Sequence, residues 1–180
     1  SHPLDGQSPY SATKIFGDRL AHAYRTTYGM DIRIVRLFNT FGPYQANDGY
    51  GGVIAKFTRK ALKGEPMPIY GSGEQRRDYL YIDDAVDAWM LAINTRLDRP
   101  VNFGTGTTVT VNEIARAIDG AVRTDQTSGT KAAWTHEKAR LGEVDCLRCD
   151  ASRARSLGWS PEVTFHEGIG KYVAWARGGI

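Results

Sequence analysis

At 180 residues and 41% hydrophobic content, the chain is long enough for one domain, or one and a half lobes, around a buried core. Its net charge of +3 comes from scattered Lys and Arg, which argues against a nucleic-acid surface and suits a small anionic ligand. No apolar run reaches membrane-spanning length and no secretory leader heads the sequence, so the expectation is a cytoplasmic protein with no membrane partner.

Taken in order, Ser8-Pro9 marks a helix start, with serine as N-cap and proline at the first helical position. Ile15, Phe16, Leu20, Ala23 and Tyr24 keep helical spacing toward Tyr28, and Gly29 stops the helix. DIRIVRLFN (31–39) is dense in β-branched residues and predicts a strand buried in a parallel sheet. VIAKFTRKALKG (53–64) predicts a helix, MPIY (67–70) a short strand, GSGEQ (71–75) a turn and RRDYLYI (76–82) another strand. Asp83-Asp84 is expected to cap a helix reaching about Asn94, and PVNFGTG (100–106) to form a strand running into a glycine turn. Thr110-Val-Asn-Glu113 is a capping-box pattern before the helix IARAIDGAV (114–122). RTDQTSGTK (123–131) reads as a surface loop and DASRARSLGW (150–159) as a short helix closed by Gly158. Thr164-Phe-His-Glu167 is a second capping box before the last helix. Helices and strands alternate without repeats, which specifies the α/β class.

Two groups of residues invite a chemical reading. Tyr10 and Lys14 stand four apart on the first predicted helix, so they share a face. A phenol is a poor acid or base at neutral pH, but an ammonium group one turn away stabilises the phenolate and makes a proton shuttle. Alone, such a pair is weak evidence and reads more readily as a half-buried tyrosine beside a solvated lysine. Cys146-Leu-Arg-Cys149 has no second ligand pair, and His2, His22, His136 and His166 are dispersed. The thiols are therefore read as reduced and without a function, and no metal site is expected.

The order SPYSATKIFGDRL, then IRIVRLFNTFGP, resembles the extended short-chain dehydrogenase/reductase family, and within it the nucleotide-sugar epimerases and dehydratases. Five stretches carry the resemblance along nearly the whole chain. It implies that Tyr10 and Lys14 are the catalytic tyrosine and its lysine partner, which also binds the nicotinamide ribose of NAD. Asn39, in NTFGP, would touch the sugar nucleotide; an amide at a strand's C-terminal end can donate to phosphate and accept from hydroxyl. In PMPIYGSGEQRRDYLYIDDAV the PIYG strand, with Tyr70, would lie along the nucleotide base, and Arg77 would bind the diphosphate. A guanidinium suits that task, being a planar fork that keeps its charge. Arg76 would face solvent, because neighbouring strand residues point opposite ways. VNFGTGTTVTVNEIA matches as architecture. In ARLGEVDCLRCDASRARSLGW, Arg140 would reach the diphosphate and Glu143 the nucleotide ribose, with Leu141 and Glu143 replacing the family's usual proline and aspartate.

The implied fold is the C-terminal part of a Rossmann-like parallel sheet plus a small α/β substrate-binding domain. Residues 1–43 and 84–106 would belong to the NAD-binding part, and 44–83 and 107–180 to the nucleotide-sugar-binding part. The Gly-rich turn that cradles the NAD pyrophosphate does not occur in these residues; GSG at 71–73 lacks the third glycine and a following helix. The expectation is that roughly the first half of such an enzyme precedes Tyr10, and that the strands at 31–38 and 101–104 leave open edges. The expected partners are a nucleotide-diphosphate sugar and either a second copy docked along the Tyr10–Tyr28 helix or the missing N-terminal half. The leading functional expectation is the substrate-binding portion of an epimerase acting through a 4-keto intermediate, inactive alone. The alternatives are a 4,6-dehydratase portion or a non-catalytic sugar-nucleotide-binding module.

Overall fold

A computed structural model of the chain describes residues 6, 8–45, 52–123, 133–139 and 144–178. Its elements run α1 (Pro9–Tyr28), β1 (Val35–Leu37), β2 (Thr40–Phe41), α2 (Val53–Leu62), β3 (Met67–Tyr70), β4 (Arg76–Arg77) and β5 (Leu80–Tyr81). There follow α3 (Ile82–Asn94), β6 (Val101–Phe103), β7 (Val109–Thr110), α4 (Val111–Arg123), β8 (Trp134–Glu137), β9 (Cys146–Leu147), α5 (Ser152–Ser156) and α6 (Phe165–Arg177). The strands form small sheets. β1 pairs with β6, β2 with β5 and β3 with β8, all parallel, while β4 lies between antiparallel β7 and parallel β9.

The predicted start of α1 is where the helix begins. Ser8 Oγ accepts the Ser11 backbone N–H at 3.1 Å, and Ser11 Oγ accepts the Ser8 N–H at 2.9 Å, so two otherwise orphaned donors are satisfied reciprocally. Gly29 ends the helix at φ +66°, in the left-handed region that costs glycine little. No residue of α1 is buried, and Tyr10, Phe16, Leu20, Tyr24 and Tyr28 are all exposed. Polar tethers hold the helix instead: Asp18 pairs with Arg36 of β1, and Arg25 donates to the carbonyls of Leu97 and Asp98.

Two apolar cores form. Ile54 and Phe57 of α2, Met67 and Ile69 of β3, Ile114 and Ile118 of α4, and Ile169 and Tyr172 of α6 build the larger one. The smaller joins Ala85, Ala88 and Ala92 of α3 to Val101 and Phe103 of β6 and to Ala154 and Trp159. Alanine at three- and four-residue steps lets α3 lie close to the strands. Phe103 meets Trp159 edge-on with centroids 5.0 Å apart, a favoured aromatic geometry.

The structure corrects several sequence expectations. The strand predicted over 31–39 is only three residues of β1, and it is half-buried, because among the described residues β6 is its sole partner. RRDYLYI is not one strand: Asp78-Tyr79 breaks it into β4 and β5. Asp83-Asp84 does not cap α3, whose N-cap is Tyr81 with no side-chain hydrogen bond. Asp84 is buried and instead accepts the backbone N–H groups of Glu162 (2.8 Å) and Val163 (3.2 Å), pinning the approach to α6. The Thr110–Glu113 box forms in both directions, at 2.7 and 3.0 Å, whereas at α6 only the Thr164 hydroxyl accepting the Glu167 N–H is seen. Strands β7, β8 and β9 were not foreseen, and most of the predicted loop at 123–131 lies outside the described residues.

Asp78 explains the break after β4. Its buried carboxylate accepts the Thr105 N–H (2.9 Å) and hydroxyl (2.8 Å), the Gly106 N–H (2.8 Å) and the Cys149 N–H (3.1 Å). Gly104 permits this approach, since a Cβ there would stand 2.6 Å from the Cys149 Cβ. Asp78→Ala would strand four donors in the interior, at a cost on the order of 3 kcal/mol by urea unfolding, while exposed Asp87→Ala should stay within about 0.5 kcal/mol. An Asp78→Ala loss as small as that of Asp87→Ala would contradict this account.

Candidate functional site

Asn39, Tyr70 and Arg77, predicted from separate sequence stretches, line one cleft of about 510 Å³. Each is aimed by its local backbone. On β4 the strand alternation leaves Arg76 exposed and turns Arg77 toward the cleft, where its Nη1 also donates to the Arg76 carbonyl at 2.8 Å. Asn39 donates its amide Nδ2 to the Asp78 carbonyl at 2.7 Å, which fixes the amide and keeps its oxygen as an acceptor. Tyr70 ends β3, and Gln75 Nε2 donates to its carbonyl at 3.1 Å, closing the turn between β3 and β4.

The cleft also contains residues that the sequence did not single out. Tyr79 stands two positions after Arg77, and burial pushes its phenol up to about 12, against the opposing pull of the Arg77 charge. At neutral pH it is a hydrogen-bonding group, not an acid. The face of α2 forms another wall, with Val53, Lys56, Phe57, Arg59 and Lys60. Its helical spacing was the available signal, since Val53, Phe57 and Lys60 recur at four- and three-residue steps. Among the described residues, four cationic side chains thus line the cleft, Arg77 among them, and no carboxylate does. Lys60 is held 3.1 Å from Glu65, whose carboxyl that ammonium keeps below its usual range.

Tyr10 and Lys14 are brought together as the helix spacing requires. The Lys14 ammonium lies over the Tyr10 ring, 5.2 Å from its centroid, and the phenol is 71% exposed. Neither residue belongs to the lining of the Asn39 cleft. Arg140 and Glu143 fall outside the described residues. Among the described residues no helix is long and apolar enough to cross a membrane, and no group of His, Cys, Asp or Glu could hold a metal ion.

A family model described as GDP-mannose 4,6 dehydratase matches residues 1–172. The chain belongs to this family of NAD-dependent epimerases and dehydratases. It is 36% identical to a UDP-glucose 4-epimerase of Mycolicibacterium smegmatis, over 97% of this chain and 55% of that protein. It is 32% identical to a dTDP-glucose 4,6-dehydratase of Streptomyces niveus, over 97% of this chain and 50% of that one. A crystal structure of the Thermus thermophilus UDP-glucose 4-epimerase in complex with NAD superposes with a TM-score of 0.87 at 31% identity, covering 97% and 55% of the two chains. The chain therefore spans about half the length of the curated relatives it matches, with their α/β, Rossmann-like architecture, and NAD is the cofactor expected of the family.

Cys146 and Cys149 sit beside the cleft's scaffold with opposite exposure. Cys146 is exposed, whereas Cys149 is buried and its thiol is pushed up to about 12 by burial and by the charges of Asp78 and Asp150. Native protein at pH 7.5 should therefore alkylate at Cys146 alone, and at both positions after denaturation, as read by intact and peptide mass spectrometry. Rapid native labelling of Cys149 would contradict the burial.

Proposed function

We propose that the chain is the nucleotide-sugar-binding portion of an NAD-dependent epimerase that acts on the sugar C4. Residues 44–83 and 107–180 bind the substrate, and 1–43 and 84–106 complete the NAD-binding side. The observation that carries this reading is the convergence of Asn39, Tyr70 and Arg77 on one cleft that, among the described residues, is lined by four cationic groups. A diphosphate suits that charge pattern, because a cleft lined by cations attracts an anion and the Arg77 fork can hold its oxygens two at a time.

In this reading Arg77 forks onto the diphosphate, with Arg140 as a second cation, and Asn39 offers its amide oxygen to a hydroxyl. Tyr70 packs along the base and Glu143 takes the ribose hydroxyls. Bound NAD supplies the hydride acceptor for the sugar C4. Tyr10 takes the proton of the 4-hydroxyl, which becomes a ketone, and returns a proton when the C4 carbonyl is reduced on its other face. Lys14 fits beside this group: its ammonium lies over the Tyr10 ring and has donors for a ribose. The 36% identity to an epimerase against 32% to a dehydratase supports epimerisation over loss of water.

The same reading makes the exposed aromatic stripe of α1 a contact surface, for a second copy or for a dinucleotide-binding half carrying the Gly-rich turn. The 180 residues alone should bind UDP-glucose and give no UDP-galactose with added NAD. Arg77→Met should weaken UDP-glucose binding at least tenfold by calorimetry, about 1.4 kcal/mol or more. Unaltered affinity in that variant would remove Arg77 from the site and with it the diphosphate reading.

A further inference from the structure

The α2 wall supplies three of the four cations of the cleft, yet none of the three has been given a role of its own. Its two ends can be located. At the N-cap, a Cβ on Gly52 would stand 3.1 Å from Gln45 Nε2, and that nitrogen donates to the Thr40 carbonyl at 3.3 Å, next to Asn39. At the other end, Lys60 is tethered to Glu65, just ahead of β3. From position 52 to position 60 a helix climbs about 12 Å. The lysines at 56 and 60 therefore stand successively farther from the Asn39 end, toward the start of the strand that carries Pro68 and Tyr70.

We infer that Lys56 and Lys60 select the base of the nucleotide. The inference rests on the reading of this cleft as a nucleotide site, with Arg77 at the diphosphate and β3 along the base. An ammonium group has three donors and no acceptor. Facing a base, it rewards an exocyclic carbonyl oxygen, which uracil, thymine and guanine possess. At the corresponding exocyclic position adenine presents an amino group, so donor meets donor there and only its ring nitrogens can accept. Discrimination of this kind comes from the unpaired polar group in the wrong complex more than from added attraction in the right one. Glu65, outside the cleft lining, holds the Lys60 ammonium in position and accepts none of the base's atoms in this scheme.

The test is calorimetric titration of UDP and of ADP into the full chain and into Lys56→Met with Lys60→Met, a change that keeps the methylene packing and removes both charges. Wild type should prefer UDP. The double variant should lose roughly tenfold in UDP affinity with ADP little changed, so that selectivity collapses. Parallel losses for both nucleotides would show the lysines serving the phosphates, and an unchanged UDP-to-ADP ratio would make them bystanders; either result overturns the inference while leaving the nucleotide site standing. Binding of neither nucleotide by wild type would overturn the site reading and this inference together. Should the double variant fold poorly by circular dichroism, Lys60→Met alone decides the ratio.

Discussion

The carboxylate of Asp78 is the constraint on which the site's geometry depends. It gathers donors from Thr105, Gly106 and Cys149, three residues brought from two distant parts of the chain. Its own backbone is used as well: the N–H donates to the Leu147 carbonyl at 3.0 Å and the carbonyl accepts from Asn39 at 2.7 Å. Arg77 is the preceding residue, so the cation and the amide that face the cleft are held by the two peptide groups that flank a buried acid. A side chain inside a protein is costly to leave unpaired, and a fully paired one specifies a single arrangement. The strand breaks at this point because a continuous ladder would carry Asp78 away from the glycine turn that it binds.

The rest of the molecule places these groups along the cleft. β3 and β4, joined by the Gln75–Tyr70 bond, form one side of the cleft, and α2 forms another. The larger core beneath them, built by α2, α4 and α6, has no special chemistry and fixes only where the cleft opens. Charge then decides what enters. With cations on α2 and β4 and no carboxylate among the described lining residues, an anionic ligand is favoured over a neutral one of the same shape. By contrast α1 buries nothing, and its phenol and ammonium stack at the surface. Its position suits a helix that is covered when a further body of protein lies against it, in a family whose curated members are about twice this length.

Much of this was legible in the sequence where the cause was local. Ser8-Pro9 and Gly29 bound α1, Thr110 and Glu113 cap α4, and MPIY is β3, because capping and β-branching act over a few residues. Strand alternation distinguished Arg77 from Arg76 without any knowledge of the partner strands. What escaped was non-local. Asp78 and Asp84 look like ordinary acids before a helix, and only the folded chain brings Thr105, Cys149 or Glu162 to them. Strands β8 and β9 have polar or two-residue sequences that become strands by pairing with β3 and β4. The lysines of α2 stand in a helix that the sequence predicts, and only the cleft beside them singles them out.

The most direct test of the central claim is a crystal structure of the chain grown with UDP. The account predicts density for the nucleotide in the cleft between α2 and β3–β4, with the diphosphate within hydrogen-bonding distance of Arg77 and beside the Asn39 amide. A well-ordered UDP bound elsewhere on the chain, with Arg77 still donating only to the Arg76 carbonyl, would contradict it.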